Sequence, residues 1–255
     1  MERPLILVSN DDSISAKGVH ELINALLPIG EVVAVCPELP QSGMSMALTV
    51  NSPLRVIRLE DYRGVKMYKV SGTPVDCIKM AVDNLLDRKP DIVVTGINHG
   101  SNAAINVVYS GTMGAAFEGC AYGIPSIGFS LTSHSENADF SACMPVVERL
   151  VCLVLQNGLP KDVCLNVNMP AHVSEYTEMR VTKGCRGRWD DGYKEYQDPA
   201  HRPFYWLAGE FINEEPDNED TDEWCLNHGI VSIVPVKLDP TYPHPEEFSW
   251  IPKKL

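Results

Sequence analysis

Apolar residues fall along this chain in runs of two kinds. Residues 5–8 (LILV), 31–36 (EVVAVC), 91–97 (DIVVTGI), 124–131 and 163–168 (VCLNVN) are short, nearly continuous runs bounded by turn residues. That is the pattern of strands buried on both faces of a parallel sheet. Between them the period lengthens. Val19, Leu22, Ile23 and Leu26 recur at helical spacing within residues 18–27, where Pro28 and Gly30 stop the run, and Val146, Val147, Leu150, Val151 and Val154 do so within residues 140–155. The sequence SGTPVD at 71–76 opens a further helix to about residue 86, with Thr73 as N-cap, Pro74 at the first helical position and Asp76 as the capping-box acid; Lys89-Pro90 ends it.

Strand and helix in alternation predict an α/β fold with right-handed crossovers: a Rossmann-like three-layer sandwich on a mostly parallel sheet. Other stretches alternate every second residue. Residues 47–50, 54–59 and 65–70 read as an antiparallel ribbon turning at Asn51-Ser52-Pro53 and Arg63-Gly64. Residues 163–168 read as the last strand of the main sheet, closed by Pro170. Beyond residue 170 the character changes. Trp189, Trp206, Trp224 and many tyrosines accumulate without helical period, and residues 179–183 and 203–207 look like the arms of a ribbon. The acidic run at 214–224 reads as a solvated loop with a helix start at Thr221, and residues 229–236 form a final strand before a proline-rich tail. The organisation expected is a core over 1–170, a C-terminal β-hairpin extension over 171–228 used in oligomerisation, and a strand and tail over 229–255.

Charge narrows the partners. With 34 acidic against 21 basic residues the net charge is −13, which argues against a nucleic-acid polymer or an anionic membrane as main partner. A small anion is still compatible, because backbone amides or a bound metal create a local positive site. The eight cysteines have no CxxC or zinc-like spacing and lie in apolar contexts, as small core residues in a reducing compartment. The first strand begins almost at once, leaving no room for a signal peptide, and no apolar run approaches the length of a bilayer span. A cytoplasmic protein is expected.

Candidate chemistry gathers at one sheet edge. Asn10, Asp11 and Asp12 follow the first strand, Ser42 and Gly43 lie in the loop PELPQSGMSM after the second, and Asn98 and Asn102 lie in NHGSN after the strand at 91–97. The carboxyl ends of parallel strands in an open sheet are where ligands bind. Two carboxylates, a hydroxyl and an amide carbonyl from Asp11, Asp12, Ser42 and Asn98 make an oxygen set for Mg²⁺, Mn²⁺ or Ca²⁺. Ser110, Gly111 and Thr112 begin a helix of small residues, where free N–H groups favour an anion. Plain turning and capping would account for each stretch taken singly; a metal beside a phosphate-sized anion site implies metal-assisted phosphoryl chemistry on an activated water. A phospho-receiver module would need an aspartate where Asn98 stands, and no GxGxxG follows Val8 for a dinucleotide.

The strings LVSNDD, PQSGMS, SGTPVDC, TGINHGSN and YSGTMGAAFEG, in this order, resemble those of the survival protein SurE family, divalent-metal-dependent phosphatases of nucleoside 5′- and 3′-monophosphates. The resemblance implies that Asp11, Asp12, Ser42 and Asn98 hold one Mg²⁺ or Mn²⁺ per subunit. It further implies that Asn10, Gly43, Asn102, Ser110, Gly111 and Thr112 line the phosphate pocket, and that the extension exchanges between subunits of a homodimer or homotetramer. Asp11 or Asp12 could orient the attacking water, while His99 reads as an ordinary loop histidine. The chain departs from the family at Ser13, where glycine is usual; a positive φ there would strain the turn.

Overall fold

Along Leu5–Ser9 (β1) every residue is buried, Ile6 and Val8 in one core and Leu5 and Leu7 in another, so a continuous apolar run is what this central strand requires. The structure is a computed structural model that describes residues 3–135, 137–174 and 177–250; the last residues of the proline-rich tail lie outside them. Around β1 run Glu31–Pro37 (β2), Lys66–Val70 (β4), Ile92–His99 (β5), Ser126–Leu131 (β6) and Val163–Met169 (β7), all parallel. Val56–Arg58 (β3) lies antiparallel on β4 at one edge. The sheet has nine strands in the order β3-β4-β2-β1-β5-β6-β7-β11-β8, where β8 is Met179–Val181 and β11 is Val231–Lys237.

Helices cover both faces. Lys17–Leu26 (α1) and Met144–Asn157 (α5) pack on the face carrying Ile6, Val8, Val94, Phe129 and Val167; Pro74–Met80 (α2) and Gly111–Ala121 (α4) pack on the other. The apolar stripes read at helical spacing are the buried ones: Val19, Leu22, Ile23 and Leu26 in α1, and Val146, Val147, Leu150, Val151 and Val154 in α5. Full burial of a leucine or isoleucine side chain in these stripes contributes about 1.5–3 kcal/mol. The capping box at α2 is present in both directions, Thr73 Oγ1 accepting from Asp76 N and Asp76 Oδ2 from Thr73 N. The helix then widens into a π turn over Ala81–Leu85.

Four expectations are corrected. Residues 47–50 form no strand; they run beside α2, pinned where Thr73 Oγ1 donates to Ala47 O and Thr49 N donates to Asp76 Oδ1. The sheet does not end at β7, because β11 adds antiparallel to β7 and β8 adds parallel to β11. Residues 179–181 therefore belong to the main sheet. The ribbon is instead Gly187–Gln197 (β9) against Pro203–Asn213 (β10), two eleven-residue arms closed by a turn in which Asp198 Oδ1 accepts from Ala200 N and Arg202 N. Finally, the helical stretch Phe140–Asn157 reaches 18 residues at mean hydropathy 1.2, long and apolar enough by composition to span a bilayer, although its valine face packs on the sheet.

Candidate active site

Three contacts draw the polar loops together at the carboxyl edge. Gln41 N donates to Asp11 O at 2.7 Å, joining the loop that carries Ser42 to the acids, and His99 N donates to Asp12 Oδ2 at 3.1 Å, joining the end of β5 that carries Asn98 to them. Thr112 Oγ1 makes a short hydrogen bond to Asp11 Oδ1 and so fixes the start of α4 on the same carboxylate. The approach is close enough to need glycine: a Cβ on Gly111 would lie 2.8 Å from Asp11 Cβ and 3.2 Å from Gln41 O. Sequence distance between these groups exceeds one hundred residues in the last case; the parallel topology alone brings them to one edge.

Asp11 is buried, and burial is the main reason its carboxyl is pushed up to about 6; the neighbouring Asp12 charge adds to the shift and the Thr112 hydroxyl opposes it. Asp12 is also raised, by burial, against the His99 N–H. Neither acid has a lysine or arginine partner among the described residues. Two desolvated carboxylates side by side without a basic partner are the arrangement that a divalent cation compensates. Asn98 Nδ2 donates to Gly100 O at 2.8 Å, which leaves its carbonyl oxygen as the acceptor not used by that turn. Asn10 Nδ2 donates to Ser13 O at 2.8 Å, while its Oδ1 is buried without a partner. Ser42 and Gly43 are exposed, Gly43 at φ 77. No cluster of three or more histidine, cysteine, aspartate or glutamate side chains that could hold a metal exists among the described residues.

Ser110 caps α4, its Oγ accepting from Met113 N at 3.0 Å. Its hydroxyl thus serves the helix, as the plain capping alternative expects, whereas Gly111 and Thr112 present the first-turn backbone. Asn102 is held from behind: its Nδ2 donates to Ser130 Oγ, its N–H to Asn168 Oδ1, and its carbonyl accepts from Asn166 Nδ2. The ring of His99 turns away to Ser135 O and Phe140, consistent with an ordinary loop histidine. Ser13 has φ 87 and is buried, so the chain carries serine where the backbone is left-handed.

Several supporting residues were not singled out from sequence. Thr95 Oγ1 donates to Thr112 O at 2.9 Å, tying β5 to the first turn of α4, and Asn166, Asn168 and Ser130 form the ladder behind Asn102. The signal available was a polar residue near the carboxyl end of an otherwise apolar strand, in VVTGI, FSL and LNVN. A fully buried polar side chain there must find a partner within the protein.

Comparison with known proteins places the chain in a family. The model of the family described as survival protein SurE matches residues 6–191. The chain is 51% identical over 243 residues to a 5′-nucleotidase SurE of Bacteroides fragilis, covering 95% of each, and 46% identical over 246 residues to one of Flavobacterium psychrophilum, covering 96% and 95%. The crystal structure of a SurE protein from Aquifex aeolicus superposes with a TM-score of 0.83 at 36% identity, over 97% of this chain and 99% of that one. This chain belongs to the survival protein SurE family.

Proposed function

We propose that this chain is a metal-dependent phosphatase that hydrolyses nucleoside 5′-monophosphates, and 3′-monophosphates as well, to nucleoside and phosphate. The observation that carries the reading is the desolvated pair Asp11 and Asp12 abutting the first turn of α4. Asp11, Asp12, Ser42 and Asn98 would hold one Mg²⁺ or Mn²⁺. When bound, such an ion supplies polarisation of the phosphoryl group and a water of lowered pKa.

The chain's own residues do the rest. The backbone N–H of Gly111, with the α4 dipole and Thr112 beside it, receives the phosphoryl oxygens. Asn10, Gly43, Ser110 and Asn102 complete the wall of that pocket. Thr112 holds Oδ1 of Asp11 and His99 N–H holds Oδ2 of Asp12, leaving Oδ2 of Asp11 and Oδ1 of Asp12 to orient the attacking water. The names of the relatives in Bacteroides fragilis and Flavobacterium psychrophilum support the 5′-nucleotide as substrate.

The ribbon serves association in the same proposal. An isolated two-stranded hairpin is marginal in water, and this one exposes Tyr193, Tyr205, Trp206 and Leu207. A second copy gripping it, in a dimer or tetramer, would bury that surface. The eight free cysteines fit a reducing cytoplasm. The test is phosphate release from 5′- and 3′-nucleoside monophosphates with Mg²⁺, Mn²⁺ or EDTA. Turnover that vanishes in EDTA and returns with metal is expected; a folded protein inactive with every metal overturns the reading.

A further inference from the structure

Asp222 lies in the run that reads in sequence as a solvated acidic loop, yet it is 1% exposed. It opens Asp222–Asn227 (α6), and three backbone N–H groups converge on its carboxylate. Ala104 N donates to Oδ2, and Cys185 N and Glu223 N donate to Oδ1, each at 2.8 Å. Cys185 is at the root of the ribbon, two residues before β9. Ala104 lies two residues before Asn106–Tyr109 (α3), which runs into Ser110.

The segment so held is not in a relaxed conformation. Ala104 sits at φ 52, a left-handed backbone that alanine disfavours and that persists only where the surroundings impose it. A second bond joins ribbon to segment nearby, Trp189 Nε1 donating to Asn106 Oδ1 at 2.8 Å. From α3 the linkage continues across the site, because Ser45 N donates to Tyr109 O and Ser45 Oγ to Val108 O. Capping would explain the bond to Glu223 N; it does not explain why the same carboxylate reaches a loop 118 residues away.

We propose that Asp222 is a positioning residue for the phosphate-binding turn: by holding Ala104 against the ribbon root at Cys185, it sets the course of residues 104–110 and thereby the placement of Gly111 and Thr112. This rests on the reading of that turn as the phosphate site. It gives the extension a second duty besides association, since ribbon and site share one buried carboxylate. An asparagine at 222 offers one acceptor oxygen in place of two and cannot serve both sets of donors.

The test uses the full chain with Asp222→Asn and, separately, Trp189→Phe, which keeps an aromatic ring and removes the bond to Asn106. Expected for Asp222→Asn are a KM for 5′-AMP and a Ki for inorganic phosphate both raised about tenfold, the size of one lost charge-assisted hydrogen bond. Mn²⁺ affinity by calorimetry is expected to change by a smaller factor than the phosphate Ki, because Asp222 is bonded to none of Asp11, Asp12, Ser42 and Asn98 and reaches Asp11 only through Thr112. Hydrogen exchange at residues 102–110 should quicken in both variants. A folded Asp222→Asn with unchanged phosphate Ki, or with Mn²⁺ affinity lost in parallel, overturns the assignment. If Asp222→Asn does not fold, Trp189→Phe decides, and unchanged exchange and Ki in it overturn the assignment. Should the wild type turn over no nucleotide, the phosphatase reading fails by itself; exchange still judges the latch, and quickening confined to residues 185 and 222–224 refutes it.

Discussion

Replacing Asp11 by asparagine should make the metal-free protein more stable while abolishing metal-dependent turnover. Burial raises the Asp11 pKa from 3.8 to about 6. Between those values the folded state binds a proton that the unfolded chain has released, so stability falls as pH rises through this window and the penalty is complete above about 6. At about 1.4 kcal/mol per pH unit the shift corresponds to about 3 kcal/mol at pH 7.5, and to about half of that at pH 5. The amide has no charge to desolvate, and its oxygen can still accept from Thr112. Urea unfolding followed by circular dichroism in EDTA should therefore place Asp11→Asn above wild type by up to about 3 kcal/mol at pH 7.5, with the gap narrowing toward pH 5. With Mn²⁺ at a hundred times its Kd the wild type should gain about 2.7 kcal/mol and the variant much less, closing the gap. A wild type at least as stable as the variant in EDTA at pH 7.5, or equal gains from Mn²⁺ in both, would refute the account of the buried acids.

Three further outcomes are expected. Ser13→Gly should stabilise the protein by about 1 kcal/mol, because the left-handed backbone at φ 87 costs serine and not glycine; thermal unfolding that shows no gain removes the claim of strain. Gly111→Ala should destabilise by about 1–3 kcal/mol through the 2.8 Å clash with Asp11, and phosphate release should drop more steeply than folded content. Thr112→Val removes the hydroxyl that holds Asp11 Oδ1 and should weaken Mn²⁺ binding about tenfold near neutral pH. The deficit should be larger at pH 6 than at pH 8, since the proton then competes better for Asp11; an equal deficit at both values would exclude that explanation.

Local pattern alone carried the parallel strands, the helix stripes and the Thr73 and Thr221 caps, and it put the loops that carry Asp11, Asp12, Ser42 and Asn98 at one sheet edge. The reason is connectivity: in a parallel sheet every loop that follows a strand must emerge at the same edge, so order along the chain already implies proximity in space. Polar partners far apart in sequence left no such trace. Asp222 stands in a run of acids that looks solvated, and only folding brings Ala104 and Cys185 to it. Asn166 and Asn168 look like interruptions of an apolar strand until the Asn102 backbone is set against them. Sheet membership of residues 179–181, and the addition of β11 beyond β7, likewise depended on which edge was left open. Strand propensity describes a half-buried surface without naming the neighbour that pairs with it, and so the ribbon's first arm was misplaced at residues 179–183 while its second, at 203–207, and the parallel core were not.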